Sequence, residues 1–242
     1  MSSFDLAVTA VFTALVCAAT IMFSIYVPVT EGFFNIGESM VFLSALLFGP
    51  FIGGFAGGVG SMLADILLGF PHYAPATLIV KGFEGLVVGM LKKRNPKLSS
   101  KLHWKVLTMI LGVAAGSLLG CIGAVYYSGE VELTLGLEVF NLYIPFGFWV
   151  FLGILAAFFI AATGFVTDPE FGWTVFSVIV GGFCMVLGYF LYELFLIYPL
   201  FKIEAVAIAE VPVNIGQMII GTIVALPIVK VAWRAFPQLK EK

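Results

Sequence analysis

The chain has 242 residues, of which 61% are hydrophobic and 11% charged, with a formal net charge of −2. Soluble domains carry about 25% charged residues, so a mean hydropathy of +1.11 excludes a water-soluble globular enzyme. The apolar runs are long rather than short and alternating, which excludes a β-barrel and leaves an all-α integral membrane protein.

A bilayer-crossing helix needs about 20 apolar residues, and residues 4–28 supply the first. No basic stretch or small-residue cleavage site marks it as a removed signal, so it is expected to remain as a membrane helix. Ala10 and Ala14, extended by Ala18, form a small-xxx-small stripe suited to close helix packing, within the chain or against a second membrane protein. Residues 29–37 (VTEGFFNIG) read as a polar-aromatic loop. Gly49-Pro50 breaks residues 38–69 into two helices, 38–49 and 51–69, the first short for a full crossing. Gly53, Gly54, Gly57 and Gly58 superficially look like a phosphate loop, yet no Lys-Ser/Thr follows them. They read instead as two packing faces. The GxxxxGK[ST] pattern is missing throughout, so the chain is not expected to hydrolyse ATP.

Residues 75–91 form the next span and carry Lys81 and Glu84, three apart and therefore on one helix face. A lone charge at mid-bilayer costs roughly 2.5–3.5 kcal/mol, so such a pair joins helices or faces a cavity. Glu193 and Glu210 are alternative partners for Lys81. A basic loop, 92–105, follows, and then spans at 106–127, 145–165, 172–198 and 211–233. Pro145 and Pro212 are expected at helix starts, and Pro227 is expected to kink the last helix. The count is eight spans, or seven if 38–69 turns back on itself. Cys17, Cys121 and Cys184 lie in apolar runs without metal-ligand spacing and read as buried small residues. No metal, cofactor or nucleic-acid partner is expected.

Of the 12 Lys and Arg residues, six lie in the 92–105 loop and four at Lys230, Arg234, Lys240 and Lys242, which assigns both regions to the cytoplasm. The 128–138 loop carries Glu130, Glu132 and Glu138 without a basic residue and fits the outside. Eight spans then put the N-terminus inside as well. This orientation sorts the polar residues by depth. Asp65, Lys81, Glu84, Tyr189, Tyr192, Glu193, Glu210, Asn214 and Gln217 all fall in outer halves of helices, and Asn35, Glu38, His72, Tyr73 and Tyr198 join them from outer loops. Glu210, Asn214 and Gln217 share one helix face. Together they describe a polar, aromatic-lined pocket open to the outside. The bland alternatives are interhelical hydrogen bonds and, for Phe33, Phe34, Phe70 and the tyrosines, the interfacial aromatic belt. His72 reads as a loop residue.

Residues 33–91, with the pattern FN-x-G-acid, VFL-x-A-x-LFGP, AGG-x-GS-x-LAD and KG-x-EG, closely resemble the N-terminal part of substrate-binding S components of energy-coupling factor (ECF) transporters. Residues 188–228 look like the closing two helices of that family. The resemblance is nearest to the riboflavin and hydroxymethylpyrimidine-thiamine branch. It implies a plasma-membrane protein that binds a vitamin or precursor from outside and works with a membrane coupling protein and a cytoplasmic ATPase pair. It implies docking of the coupling protein on Ala10 and Ala14. The ligand shell it implies, from outer loops and outer helix ends, falls on Asn35, Glu38, Tyr73, Lys81, Glu84, Tyr189, Tyr192, Glu193, Glu210, Asn214 and Gln217. The excess of carboxylates favours a neutral or basic ligand over a phosphorylated one. The family usually has six helices, so residues 106–165 read as an inserted pair in a single transmembrane domain whose core is 1–91 and 172–236. The competing reading is a proton- or sodium-coupled secondary transporter using Glu84, Glu193 and Glu210. No convincing inverted repeat supports it. A membrane enzyme ranks behind both, for want of a nucleophile–base set.

Overall fold

The computed structural model describes residues 2–94, 101–135, 138–166, 169–203 and 206–240. Residues 95–100 of the basic loop and Lys242 lie outside them, as do the side chains of Glu132 and Glu138.

Helix α1 (Ser3–Met22) starts on a capping box: the Asp5 amide donates to Ser2 Oγ at 3.2 Å, and the Ser2 amide donates to Asp5 Oδ2 at 2.9 Å. It ends earlier than the apolar run does. Residues 24–28, expected to be helical, instead enter strand β1 (Ser24–Val27), which pairs antiparallel with β2 (Gly32–Asn35). Ile25, Tyr26 and Val27 favour extended backbone, Pro28 cannot continue a helix, and Glu31 closes the turn at φ 53°.

Helix α2 (Glu38–Phe48) stops at Gly49, whose φ of 88° turns the chain into α3 (Pro50–Leu68). Helix α4 (Ala74–Arg94) follows, then α5 (Lys101–Tyr126), the hairpin β3 (Gly129–Leu135) and β4 (Glu138–Ile144), and α6 (Phe146–Val166). Where a plain loop was expected at 128–138, β3 therefore stands. Helix α7 (Pro169–Tyr192) continues through one π-helical turn, Glu193–Ile197, into the short α8 (Tyr198–Phe201). Helix α9 (Ala207–Ala235) starts before Pro212, so that proline lies inside its second turn rather than at its start. Its missing N–H leaves the Ile208 carbonyl without an intrahelical donor. A 3-10 turn, Pro237–Leu239, ends the described chain.

Among the described residues, seven helices are long and apolar enough to cross a membrane. With α2, the protein is an all-α membrane bundle of about eight helices. At about 1.5 Å per residue, α2 covers roughly half the hydrocarbon thickness. Its position matters more than its length. Gly89, near the base of α4, packs on Pro50, so the α2–α3 turn lies toward the basic end. The first turn of α2 consequently begins at the depth of Lys81, about 10 Å below the top of α4. The β1–β2 hairpin fills that slot from the end opposite the basic one.

Helix α3 is wedged between its neighbours by small residues. Gly53 and Gly57 face Ala45 and Val41 of α2, while Gly54 and Gly58 face Leu86 and Leu78 of α4, as the two expected packing faces require. Helices α5 and α6 pack along each other through Gly116 and Gly153 and join the rest mainly through α9. Tyr127 donates to the Ala209 carbonyl at 2.8 Å there. Outward faces of α1 and α6 expose Leu6, Val11, Phe151 and Phe158, which a bilayer solvates. The expectation of buried cysteines fails for the same reason: Cys121 is exposed, and Cys17 and Cys184 are half-buried. Their apolar surroundings are lipid as much as core. Lys92 near the base of α4 donates to the Lys240 carbonyl at 2.9 Å, so the C-terminal turn and the Lys92 end of α4 share one end of the bundle.

Candidate functional site

Because α2 starts late, its first residue, Glu38, meets the Lys81 ammonium as an ion pair across the helix boundary. Glu84, one turn further along α4, has its Oε2 3.5 Å from the same ammonium. All three side chains are enclosed. The i, i+3 spacing predicts Glu84 as the partner, and the nearer one is 43 residues upstream.

An amide chain runs beside this triad. The Gly37 N–H donates to Asn35 Oδ1 at 2.9 Å, Asn35 Nδ2 donates to Gln217 Oε1 at 2.5 Å, and Gln217 Nε2 donates to Asn214 Oδ1 at 2.8 Å. The backbone donor at its start sets the direction of the whole chain. It ends on Asn214 Nδ2, a buried donor with no partner among the described residues. Glu210 lies one turn before Asn214 on the same face of α9, and its Oε2 is likewise unpartnered.

Tyrosines close the side toward the hairpin. The Tyr73 hydroxyl lies 2.8 Å from both the Thr30 carbonyl of the β-turn and Glu193 Oε1. Burial first, then the nearby Glu210 and Glu193 carboxylates, hold that hydroxyl protonated far above the ordinary tyrosine range. Tyr189 donates to Thr77 Oγ1 at 2.9 Å, and Tyr192 donates to the His72 carbonyl. Within the hairpin, Tyr26 donates to Glu31 at 2.8 Å. Burial and then Glu31 push the Tyr26 hydroxyl up to about 12.

These groups surround a small polar chamber of about 30 Å³ beneath the hairpin. Of the predicted residues, Asn35, Tyr73, Lys81, Tyr189, Glu210, Asn214 and Gln217 line it, and Asp65 joins them from α3. Glu38, Glu84, Tyr192 and Glu193 stand one layer behind, holding Lys81, the loop before α4 and Tyr73. Ala10 and Ala14 are exposed on α1, which turns Thr20 toward the chamber. Thr20, Ser61 and Thr77 also line it and carry little sequence signal. A hydroxyl in an apolar helix usually bonds back to its own backbone, as Thr20 does to Val16 at 2.8 Å. The expected aromatic cluster splits. Phe33 lines the chamber and packs on Phe70 at 5.0 Å between ring centroids, Phe34 turns to Gly216, and Tyr198 is exposed.

A larger cleft of about 850 Å³ opens between α9 and the α5–α6 pair. Glu130, Trp149 and the tyrosines Tyr26, Tyr126 and Tyr127 border it, but most of its wall, such as Leu119, Leu152, Phe159, Ile219 and Ile223, is hydrocarbon. At bilayer depth such a surface offers packing but no directional recognition. The small chamber, with its aligned donors and acceptors, is the candidate site.

A family model described as ECF-type riboflavin transporter, S component, matches residues 1–144, from α1 through β4. A Pyrococcus woesei protein described as "Uncharacterized protein in gap 3'region" is 40% identical over 131 residues, spanning 51% of this chain and 88% of that protein.

Proposed function

The chain belongs to the family of ECF-type riboflavin transporter S components, and from that premise we propose that its polar chamber binds a flat heterocyclic vitamin or vitamin precursor from the outside. Members of this family are non-enzymatic, substrate-binding, multi-pass proteins of the plasma membrane that serve vitamin uptake together with ECF coupling and ATPase subunits. The observation that carries the site reading is the directed amide chain ending on Asn214. It leaves a buried donor beside two buried acceptors, Asp65 Oδ2 and Glu210 Oε2, all facing one space. Unpartnered polar atoms in a membrane interior are costly, and a ligand that pairs them recovers that cost. Tyr73 and Tyr189 supply aromatic faces at the same level.

A chamber of about 30 Å³ is smaller than a heterocyclic ring, since ligand pockets run to roughly 300 Å³ or more. Entry therefore requires the β1–β2 hairpin to lift, and its turn is pinned chiefly through Tyr73. The proposed S-component core is α1–α4 with α7 and α9: the hairpin, Tyr73 and helices α1, α3, α4, α7 and α9 supply the chamber lining, α2 holds Lys81 through Glu38, and α5 and α6 supply none of it. The proposed orientation puts the hairpin outside and the basic loop, Ser3 and Lys240 in the cytoplasm, following the Lys and Arg bias. The exposed Ala10–Ala14 stripe is the proposed docking face for the coupling protein, with a separate ATPase pair supplying the energy. The ligand falls within the riboflavin and hydroxymethylpyrimidine-thiamine branch.

The test is uptake by cells carrying this chain with and without an ECF module, together with mass spectrometry of the small molecule that copurifies. Module-dependent uptake of the copurifying molecule is the expected result. Concentrative uptake by this chain alone, abolished by an uncoupler, would falsify the reading in favour of a secondary transporter.

A further inference from the structure

The charges around the chamber do not balance. Glu38 on α2, Asp65 on α3, Glu84 on α4, Glu193 on the π-turn and Glu210 on α9 are all buried, and Lys81 is the one ammonium among the described residues that faces them. Lys81 is already held by Glu38 and Glu84. Each uncompensated buried carboxylate costs several kcal/mol, by order of magnitude, so the remaining negative charge is cancelled by protons or by a cationic guest. No group of three or more His, Cys, Asp or Glu among the described residues is arranged to hold a metal ion.

Hydrogen-bond accounting locates one such proton. Tyr73 has a single hydroxyl hydrogen and two oxygens at 2.8 Å, the Thr30 carbonyl and Glu193 Oε1. A carbonyl only accepts. Both contacts are satisfied together only when Glu193 carries a hydrogen and donates it to the Tyr73 oxygen. Thr77 and Thr30 present hydroxyls to Asp65 and Glu210, while the tyrosines are engaged elsewhere: Tyr189 donates to Thr77, Tyr192 to the His72 carbonyl and Tyr127 to the Ala209 carbonyl. None of these three tyrosines is available as a counter-donor, and two neutral hydroxyls cancel no charge. The chamber itself presents Asn214 Nδ2 as its free donor, with Asp65 Oδ2 and Glu210 Oε2 as free acceptors. A complementary guest offers one acceptor beside charged or polar N–H donors.

Resting on the site reading above, we propose that the chamber selects a flat heterocycle bearing a basic or permanently charged nitrogen, and that this cation exchanges for a proton held among the chamber carboxylates. Asp65 and Glu210 meet the charged nitrogen, and Asn214 meets a ring acceptor. Charge balance is kept because the bound cation replaces the released proton. An anionic or phosphorylated analogue is rejected, since the one ammonium is already engaged.

The experiment is titration calorimetry of the full chain in detergent, in two buffers of different ionisation enthalpy. The probes are thiamine (a fixed cation), 4-amino-5-hydroxymethyl-2-methylpyrimidine (a weak base) and riboflavin (a neutral flat ring). Expected is thiamine or the pyrimidine binding at least about tenfold tighter than riboflavin, with proton release for thiamine and affinity falling as pH falls. Glu210→Gln and, separately, Asp65→Asn are each expected to weaken the cationic probe by about tenfold relative to riboflavin and to remove the buffer dependence. Preferred riboflavin binding without proton release overturns the cation proposal alone. Binding of none of the three overturns the site reading together with it.

Discussion

Lys81 of α4 is bound by Glu38 of α2 rather than chiefly by Glu84 of its own helix. The contact joins two helices that a purely local reading of the sequence leaves apart. It also holds Lys81 in the wall of the polar chamber that Asn35, Asn214 and Gln217 line as well.

Removing the ammonium strands both carboxylates. Lys81→Met is expected to destabilise the protein by about 3–5 kcal/mol, the usual result of breaking a buried pair from one side. Adding Glu38→Gln to it is expected to restore part of that loss. Thermal unfolding of the three proteins in detergent measures both, and a double variant no more stable than Lys81→Met contradicts the pairing.

The hairpin should depend on one hydroxyl. Tyr73→Phe loses the contacts to Thr30 and Glu193 while keeping the ring against Tyr192, 5.8 Å away between centroids. A net hydrogen bond is worth about 1 kcal/mol, so amide hydrogen exchange in residues 24–35 is expected to speed up by about fivefold. Unchanged exchange there removes Tyr73 as the pin.

Two glycines on the α3–α4 boundary should differ sharply. A Cβ on Gly58 would meet the Leu78 carbonyl at 2.6 Å, whereas one on Gly82 finds nothing nearer than 3.5 Å. Gly58→Ala is expected to cost about 1–3 kcal/mol, as overpacking does, and Gly82→Ala to be close to neutral. Paired thermal melts decide it.

The stripe on α1 is predicted to serve coupling and not recognition. Ala10 is exposed, and Thr20 is the α1 residue that reaches the chamber. Ala10→Trp is expected to abolish module-dependent uptake while leaving the affinity for the copurifying molecule within about twofold. Weakened binding by the purified variant refutes the separation of the two roles.

Much of the architecture is legible from hydropathy because membrane helices must satisfy their backbones internally, leaving length and apolarity as the main signal. The break at Gly49-Pro50, the packing faces of α3 and the starts of α4 and α6 follow from that and from glycine and proline chemistry. Residues 24–27 continue an apolar helical run, and only pairing with residues 32–35 makes them a strand. The start of α9 before Pro212 is hidden for a related reason. Burial of Ala207, Ala209 and Glu210 favours the extra turn, and local propensity carries no record of that burial.

By itself, then, the sequence determined a multi-helix membrane protein with its polar groups gathered at one depth, because insertion energies act residue by residue along the chain. Tertiary structure alone decided which of those groups touch. Glu38 reaches Lys81, Asn35 reaches Gln217 across 182 residues, and Tyr73 stands between Thr30 and Glu193. The physical reason is the late start of α2, which opens a slot for the hairpin and brings side chains from distant segments to one level. Helical periodicity orders neighbours within a turn, and contacts between turns of different helices depend on where each helix begins.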